Sequence, residues 1–269
     1  MLEQIVQKSP FFLIACARCF ALIMTMPLFS MRTVSRTAKL AFTGFMAFIL
    51  LPQIDYTSYQ SYINVDGAFS LEYILILAGE ALIGVIIGFF ISIIFSAFSA
   101  AGQFFSFQMG FSASEVYDSL SQVENPLMGQ FFNLIAMLIF LQNDWALNLF
   151  SRGLIASFKT LNSFLFLESM AREKFAFFLL KSLSSLFADA LTISLPIIGS
   201  LLLVSITTGI LSKAAPQMNL MSEGFPIMIL FTFFIIFQIF EVLCNFFVST
   251  FNESFVELEN LFAYFTRGK

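Results

Sequence analysis

Residues Lys213 to Leu230 read KAAPQMNLMSEGFPIMIL, a short polar break between two long apolar segments. Pro216 cannot continue a helix, because it lacks a backbone N–H and its ring collides with the preceding turn. Asn219 can cap the polar turn, and Gly224, Phe225 and Pro226 open the next apolar run, so the stretch with Gln217 at its tip reads as an αα-hairpin. Working outward, further apolar segments cover about 10 to 30, 38 to 52, 71 to 101, 127 to 142, 176 to 211 and 225 to 250. A shorter amphipathic piece lies near 145 to 167. The pattern predicts an all-α, polytopic membrane protein with about six long hydrophobic helices, forming a single membrane-embedded domain over residues 1–269.

Composition supports this reading independently. The chain is 59% hydrophobic and 11% charged, and its mean hydropathy is +0.90, far outside the balance of soluble domains. No polar stretch is long enough for a separate soluble domain. The first apolar stretch, Pro10 to Ser30, exceeds a signal-peptide core and follows Glu3 and Lys8, so it reads as a retained helix. A net charge of −4 leaves no basic stripe for phosphates, which excludes nucleic acid as a partner. With no His in the chain, His-based acid–base chemistry, His metal sites and Ser-His or Cys-His triads are excluded, and no phosphate-binding loop motif is present. The expectation is a protein that is not an enzyme, with no cofactor or metal. Cys16, Cys19 and Cys244 all lie in apolar segments and read as packing residues. The 39 phenylalanines admit two readings, an aromatic channel or a compositional bias.

Three features carry candidate function. Along the third segment Glu80, Gly84, Gly88, Ser92, Ser96 and Ala100 recur every four residues, forming a ridge of small side chains where another helix can approach closely. The neighbour can be internal or a partner subunit. Arg18, Glu80 and Asp189 are intramembrane charges, each costing about 2.5–3.5 kcal/mol to insert, so they should face protein or water. They could form a proton relay, or Arg18 could pair with a carboxylate such as Glu80. Third, the polar, acidic segment Gly110 to Pro126 interrupts two strongly apolar stretches. It is either an exposed loop or backbone lining a cavity. Charge placement sets the connection bearing Arg32, Arg36 and Lys39 in the cytoplasm, but the rule loses force after the third helix. A secondary transporter would show similar halves, and no convincing internal repeat is present.

The hairpin wording, together with Ala101-Gly102-Gln103, Gln108-Met109-Gly110, and Leu195-Pro196 running into Gly209, resembles the FliR/SctT family of type III secretion export-apparatus membrane proteins. The resemblance spans most of the chain and favours the flagellar over the injectisome branch. It implies a FliP/SctR-like portion over about 1–180, then a FliQ/SctS-like hairpin over 181–269 with Pro216, Gln217, Asn219, Gly224 and Pro226 at partner contacts. It also implies a pore plug, with Gln108, Met109 and Gly110 leading into Phe111, Ser112, Ser114, Glu115, Tyr117, Asp118, Gln122 and Glu124. The partners implied are FliP-, FliQ- and FlhB-like export-gate subunits and unfolded export substrates, at the bacterial inner membrane within the flagellar basal body.

Overall fold

The computed structural model describes residues 2–30, 34–54, 56–60, 70–110, 127–214 and 224–267. The segment that the resemblance implies as a plug body, Phe111 to Glu124, and the hairpin residues Pro216, Gln217 and Asn219 lie outside them. Among the described residues all regular structure is helical. In chain order these are α1 (Leu2–Thr25), α2 (Pro27–Ser30), α3 (Arg36–Leu50), α4 (Thr57–Gln60), α5 (Leu71–Met109) and α6 (Leu127–Gln142). After them come α7 (Trp145–Asn148), α8 (Leu154–Thr160), α9 (Ser169–Ala214) and α10 (Phe225–Arg267). A π-helical turn, Leu149–Gly153, joins α7 to α8.

Local chemistry sets several boundaries. Ser35 caps α3, its Oγ accepting from the Ala38 N–H at 3.2 Å. The helix consequently starts early enough to take in Arg36 and Lys39, and Lys39 is buried on its inner face rather than lying in a loop. Ser70 plays the same role for α5 toward the Tyr73 N–H, and Glu72 adds negative charge to the first turn. Asp144, at φ 55°, breaks the helical path between α6 and α7. The amphipathic piece expected near 145 to 167 is a continuous helical run over Trp145–Thr160 with a π-helical turn inside it, followed by a short 3-10 turn at Ser163–Leu167. Helix α9 runs through Pro196, and position 180 falls inside it.

The six hydrophobic segments all become helical, but six spans do not result. Among the described residues three helices are long and apolar enough to cross a membrane, α5, α9 and α10, or up to four if α6 and the Trp145–Thr160 stretch form one broken span. The first two segments fall short: Ser9–Thr25 is too brief an apolar run, and α3, at 15 residues, measures about 22 Å against a ~30 Å hydrocarbon core. By contrast, α5 with its 39 residues extends about 58 Å. Buried residues make up 67% of its most apolar stretch, compared with 28% in α9 and 17% in α10, which makes α5 the enclosed helix.

The chain divides into two compact units, one of residues 1–93, 143–182 and 254–269, the other of 94–142 and 183–253. In the first, Ile14, Tyr59, Tyr73 and Ile76 form a buried cluster, and the Tyr73 hydroxyl donates to the Pro10 carbonyl at 2.8 Å. The second is built on phenylalanine. Phe98 meets Phe247 at 4.0 Å between ring centroids, and Phe95, Phe140 and Phe251 close a triangle at 5.2–5.3 Å. Aromatic pairs at these separations add packing energy beyond their area, so several phenylalanines are core.

Candidate functional site

Two arrangements hold the sequence-predicted residues. In the first unit Arg18 of α1 meets Glu80 of α5 in an ion pair of 2.6 Å, both side chains fully buried. A lone charge there would be prohibitive, and the surroundings supply its partners. The guanidinium donates from Nε to Glu80 Oε2 at 2.8 Å, from Nη1 to Ser157 Oγ at 3.0 Å and from Nη2 to the Leu161 carbonyl at 2.9 Å. The carboxylate's other oxygen accepts from the Tyr59 hydroxyl at 2.6 Å and the Ser163 N–H at 3.0 Å. The Phe158 ring lies 3.9 Å from Arg18 Cζ, a cation–π contact. One neutral cluster thus ties together α1, α4, α5, α8 and the turn after α8.

Tyr59, Ser157, Phe158 and Ser163 escaped the sequence reading. Tyr59 and Ser163 lie 21 and 83 residues from Glu80, and Ser157 lies 139 from Arg18, and no motif links them. Burial, and then the Glu80 carboxylate, push the Tyr59 hydroxyl above its ordinary range. Because the folded value is raised, the neutral hydroxyl contributes stability below the usual tyrosine range near about 10 and loses it as pH climbs through the folded value. Tyr59→Phe should therefore cost about 1.5–3 kcal/mol, the worth of a hydrogen bond to a charged acceptor. In denaturation in mild detergent, wild type should lose more stability than the variant above pH about 10.

The small-residue ridge packs within the same unit where it can be traced. A Cβ on Gly84 would strike the Arg18 carbonyl oxygen, and one on Gly88 would strike Thr25 Oγ1 and stand 2.9 Å from the Leu22 carbonyl. Backbone therefore meets backbone along α1 and α5, the approach that small-xxx-small spacing allows. Ser92, also of the first unit, is half-buried, while Ser96 is exposed in the second. Asp189, half-buried on α9, is also in the second unit.

The second arrangement concerns the residues flanking the Gly110 to Pro126 segment and lies wholly in the second unit. Gln108 is half-buried, Met109 is buried on the last turn of α5, and Gly110 follows at φ 83°, which glycine adopts without penalty. Across the segment, α6 is held against α5: a Cβ on Gly102 would come within 2.5 Å of the Met128 carbonyl, and one on Gly129 within 2.9 Å of the Ser99 carbonyl. The start of α6 is thereby held by close-packed backbone against α5 at Ser99 and Gly102. Of the hairpin residues, Gly224 is buried and Pro226 exposed at the start of α10.

Long apolar helices, a buried ion pair and glycine-mediated helix crossings define an all-α integral membrane protein. The profile of the family described as Bacterial export proteins, family 1 matches residues 9–254. Over 262 residues the chain is 30% identical to the flagellar biosynthetic protein FliR of Bacillus subtilis, covering 97% of this chain and 98% of that one. It is 34% identical over 224 residues to the flagellar biosynthetic protein FliR of Borreliella burgdorferi, covering 83% and 80%. It is also 29% identical over 160 residues, 59% of each chain, to the surface presentation of antigens protein SpaR of Shigella flexneri. The chain belongs to the bacterial export proteins, family 1, the FliR/SctT family its sequence resembles.

Proposed function

We propose that this chain is a core subunit of the flagellar type III protein export gate, helping to assemble and seal the conduit through which unfolded flagellar proteins cross the bacterial inner membrane. The observation that carries the reading is similarity to a flagellar biosynthetic protein over nearly the full length of both chains. The match to SpaR is shorter and makes the injectisome a related setting rather than the favoured one. The role is structural and gating rather than enzymatic. The subunit sits in the flagellar basal body with FliP-, FliQ- and FlhB-like partners, its first two-thirds FliP/SctR-like and its C-terminal hairpin FliQ/SctS-like. Apolar side chains exposed on α9 and α10, among them Leu203, Ile206, Leu230 and Phe237, suit lipid or such partners.

In this reading residues Gly110 to Pro126 plug the conduit at rest and are displaced on opening, while the close packing of α6 on α5 beside them is kept. Deleting Ser112 to Gln122 should raise ion leakage across the membrane while FliP-, FliQ- and FlhB-like proteins still co-purify with the tagged chain. Unchanged conductance in an assembled complex would remove the plug from the proposal. Purification of the chain without those partners, under conditions that preserve other complexes, would remove the export-gate reading itself.

A further inference from the structure

Within the first unit, the stretch from α7 to α8 and the C-terminal end of α10 enclose a cavity of about 300 Å³, at the lower end of the range for small-ligand sites. Trp145, Leu149 and Arg152 line it at helical spacing from one side, and Phe255, Leu258, Glu259 and Phe262 from the other. Leu149 and Arg152 belong to the π-helical turn, a departure from the regular ladder that gathers at functional sites.

The lining is divided by chemistry. Leu149, Leu258 and Phe262 are buried and make an apolar floor, and the Trp145 ring, 9% exposed, stands 6.1 Å from that of Phe255 between centroids. Arg152 and Glu259 are exposed at the mouth. No ion pair joins them, since the ion pairs among the described residues are Arg18 with Glu80 and Lys181 with Glu257. Glu257 is thus already neutralised, whereas a cation and an anion on one small cavity are both left available. Each wall reaches the cavity where an apolar run stops: Trp145 follows the end of α6 by three residues, and the apolar run of α10 gives way to Glu253, Glu257 and Glu259. Such places suit the polar boundary of a bilayer, where a Trp ring is favoured because its body is apolar and its N–H polar.

We propose that this cavity binds a phospholipid with a primary-amine zwitterionic headgroup, of the phosphatidylethanolamine class. The Arg152 guanidinium takes the phosphate, for which its planar fork offers two parallel donors. The Glu259 carboxylate accepts from the ammonium, which brings three N–H donors. The glycerol and first acyl carbons lie against Trp145 and Phe262. A choline headgroup carries the charge without an N–H to give, and a glycerol headgroup leaves Glu259 facing an anionic lipid with no cation between them. Affinity therefore comes from Arg152 and selectivity from Glu259. The bound lipid fills the seam and holds the end of α10 on the α7–α8 stretch, whatever seals the conduit.

Trp145 is the chain's single tryptophan, so the cavity carries its own reporter. The full chain in maltoside micelles is titrated with dihexanoyl phosphatidylethanolamine, phosphatidylcholine or phosphatidylglycerol while Trp145 emission is followed. The ethanolamine lipid should shift the emission saturably, with a midpoint about fivefold below that of either other lipid, the scale of one exposed charge contact. Glu259→Gln should erase the preference for ethanolamine over glycerol headgroups, and Arg152→Gln should weaken both. Both side chains are exposed, so both variants should fold; Glu253→Gln, outside the cavity lining, should bind as wild type does. Equal midpoints for the three lipids, no saturable shift with any of them, or a preference that survives Glu259→Gln would overturn the proposal. A saturable shift with soluble phosphoethanolamine at the same concentration would overturn the lipid as occupant.

Discussion

Replacing Arg18 by Met destabilises the folded chain by about 3–5 kcal/mol, and replacing Glu80 by Leu as well restores most of the loss. The asymmetry follows from burial. Removing one partner leaves the other charge fully enclosed, whereas removing both exchanges a charged cluster for apolar packing of similar volume. Recovery falls short of complete because the Tyr59 hydroxyl, the Ser163 N–H and the Leu161 carbonyl then lose their partner. Cys19 supplies a readout, since it is buried beside Arg18 on α1. With Cys16 and Cys244 changed to Ala, Cys19 labelling by a maleimide during detergent unfolding reports exposure of the buried face of α1. Equal labelling of wild type and Arg18→Met at every denaturant concentration would show that the pair does not keep that face buried.

Gly84→Leu and Gly88→Leu have the second large effect, and it differs in kind. Overpacking ordinarily costs about 1–3 kcal/mol, because side chains yield. Here the first atoms met include the carbonyl oxygens of Arg18 and Leu22, which are backbone and move only with the whole of α1. The expected outcome is displacement of α1, loss of the Arg18–Glu80 pair in consequence, and labelling of Cys19 without denaturant. Gly199, which has nothing within 4 Å of its Cβ position, is the control: Gly199→Ala should fold as wild type does. Folded, maleimide-protected protein from Gly84→Leu would contradict the backbone contact.

The membrane character and the helical segments were legible because hydropathy is a local property, and α6 came out at the boundaries its apolar run suggested. The number of spans was not, since it depends on length against the bilayer and on breaks such as Asp144 at φ 55°, whose conformation nothing in its neighbours announces. Helix α5 runs on past the end of its apolar segment at 101 to Met109, and Gly102 in that extension is a helix-crossing point against α6. Insertion cost alone suggested that Arg18 could seek a carboxylate. The remaining members of the cluster could not be read, because Tyr59 and Ser157 look like ordinary residues of short polar turns until the chain brings them to Glu80. The packing of the Phe225 ring against Gly110 was likewise hidden, each residue having an adequate local explanation.

The ion pair also constrains how the protein is made. Helix α1 is synthesised before α5, and Arg18 emerges while Glu80 is still unsynthesised, about 60 residues away. Helix α1 is too brief an apolar run to span a bilayer by itself, and its Arg18 adds about 2.5–3.5 kcal/mol to the cost of placing it in lipid, a cost that pairing with Glu80 of α5 offsets. The insertion machinery must therefore retain α1 until α5 arrives, or admit it provisionally and let the second helix commit it. Nascent chains truncated before residue 80 should remain extractable, and those extended through α5 should not. The pair acts in this sense as a checkpoint in biogenesis.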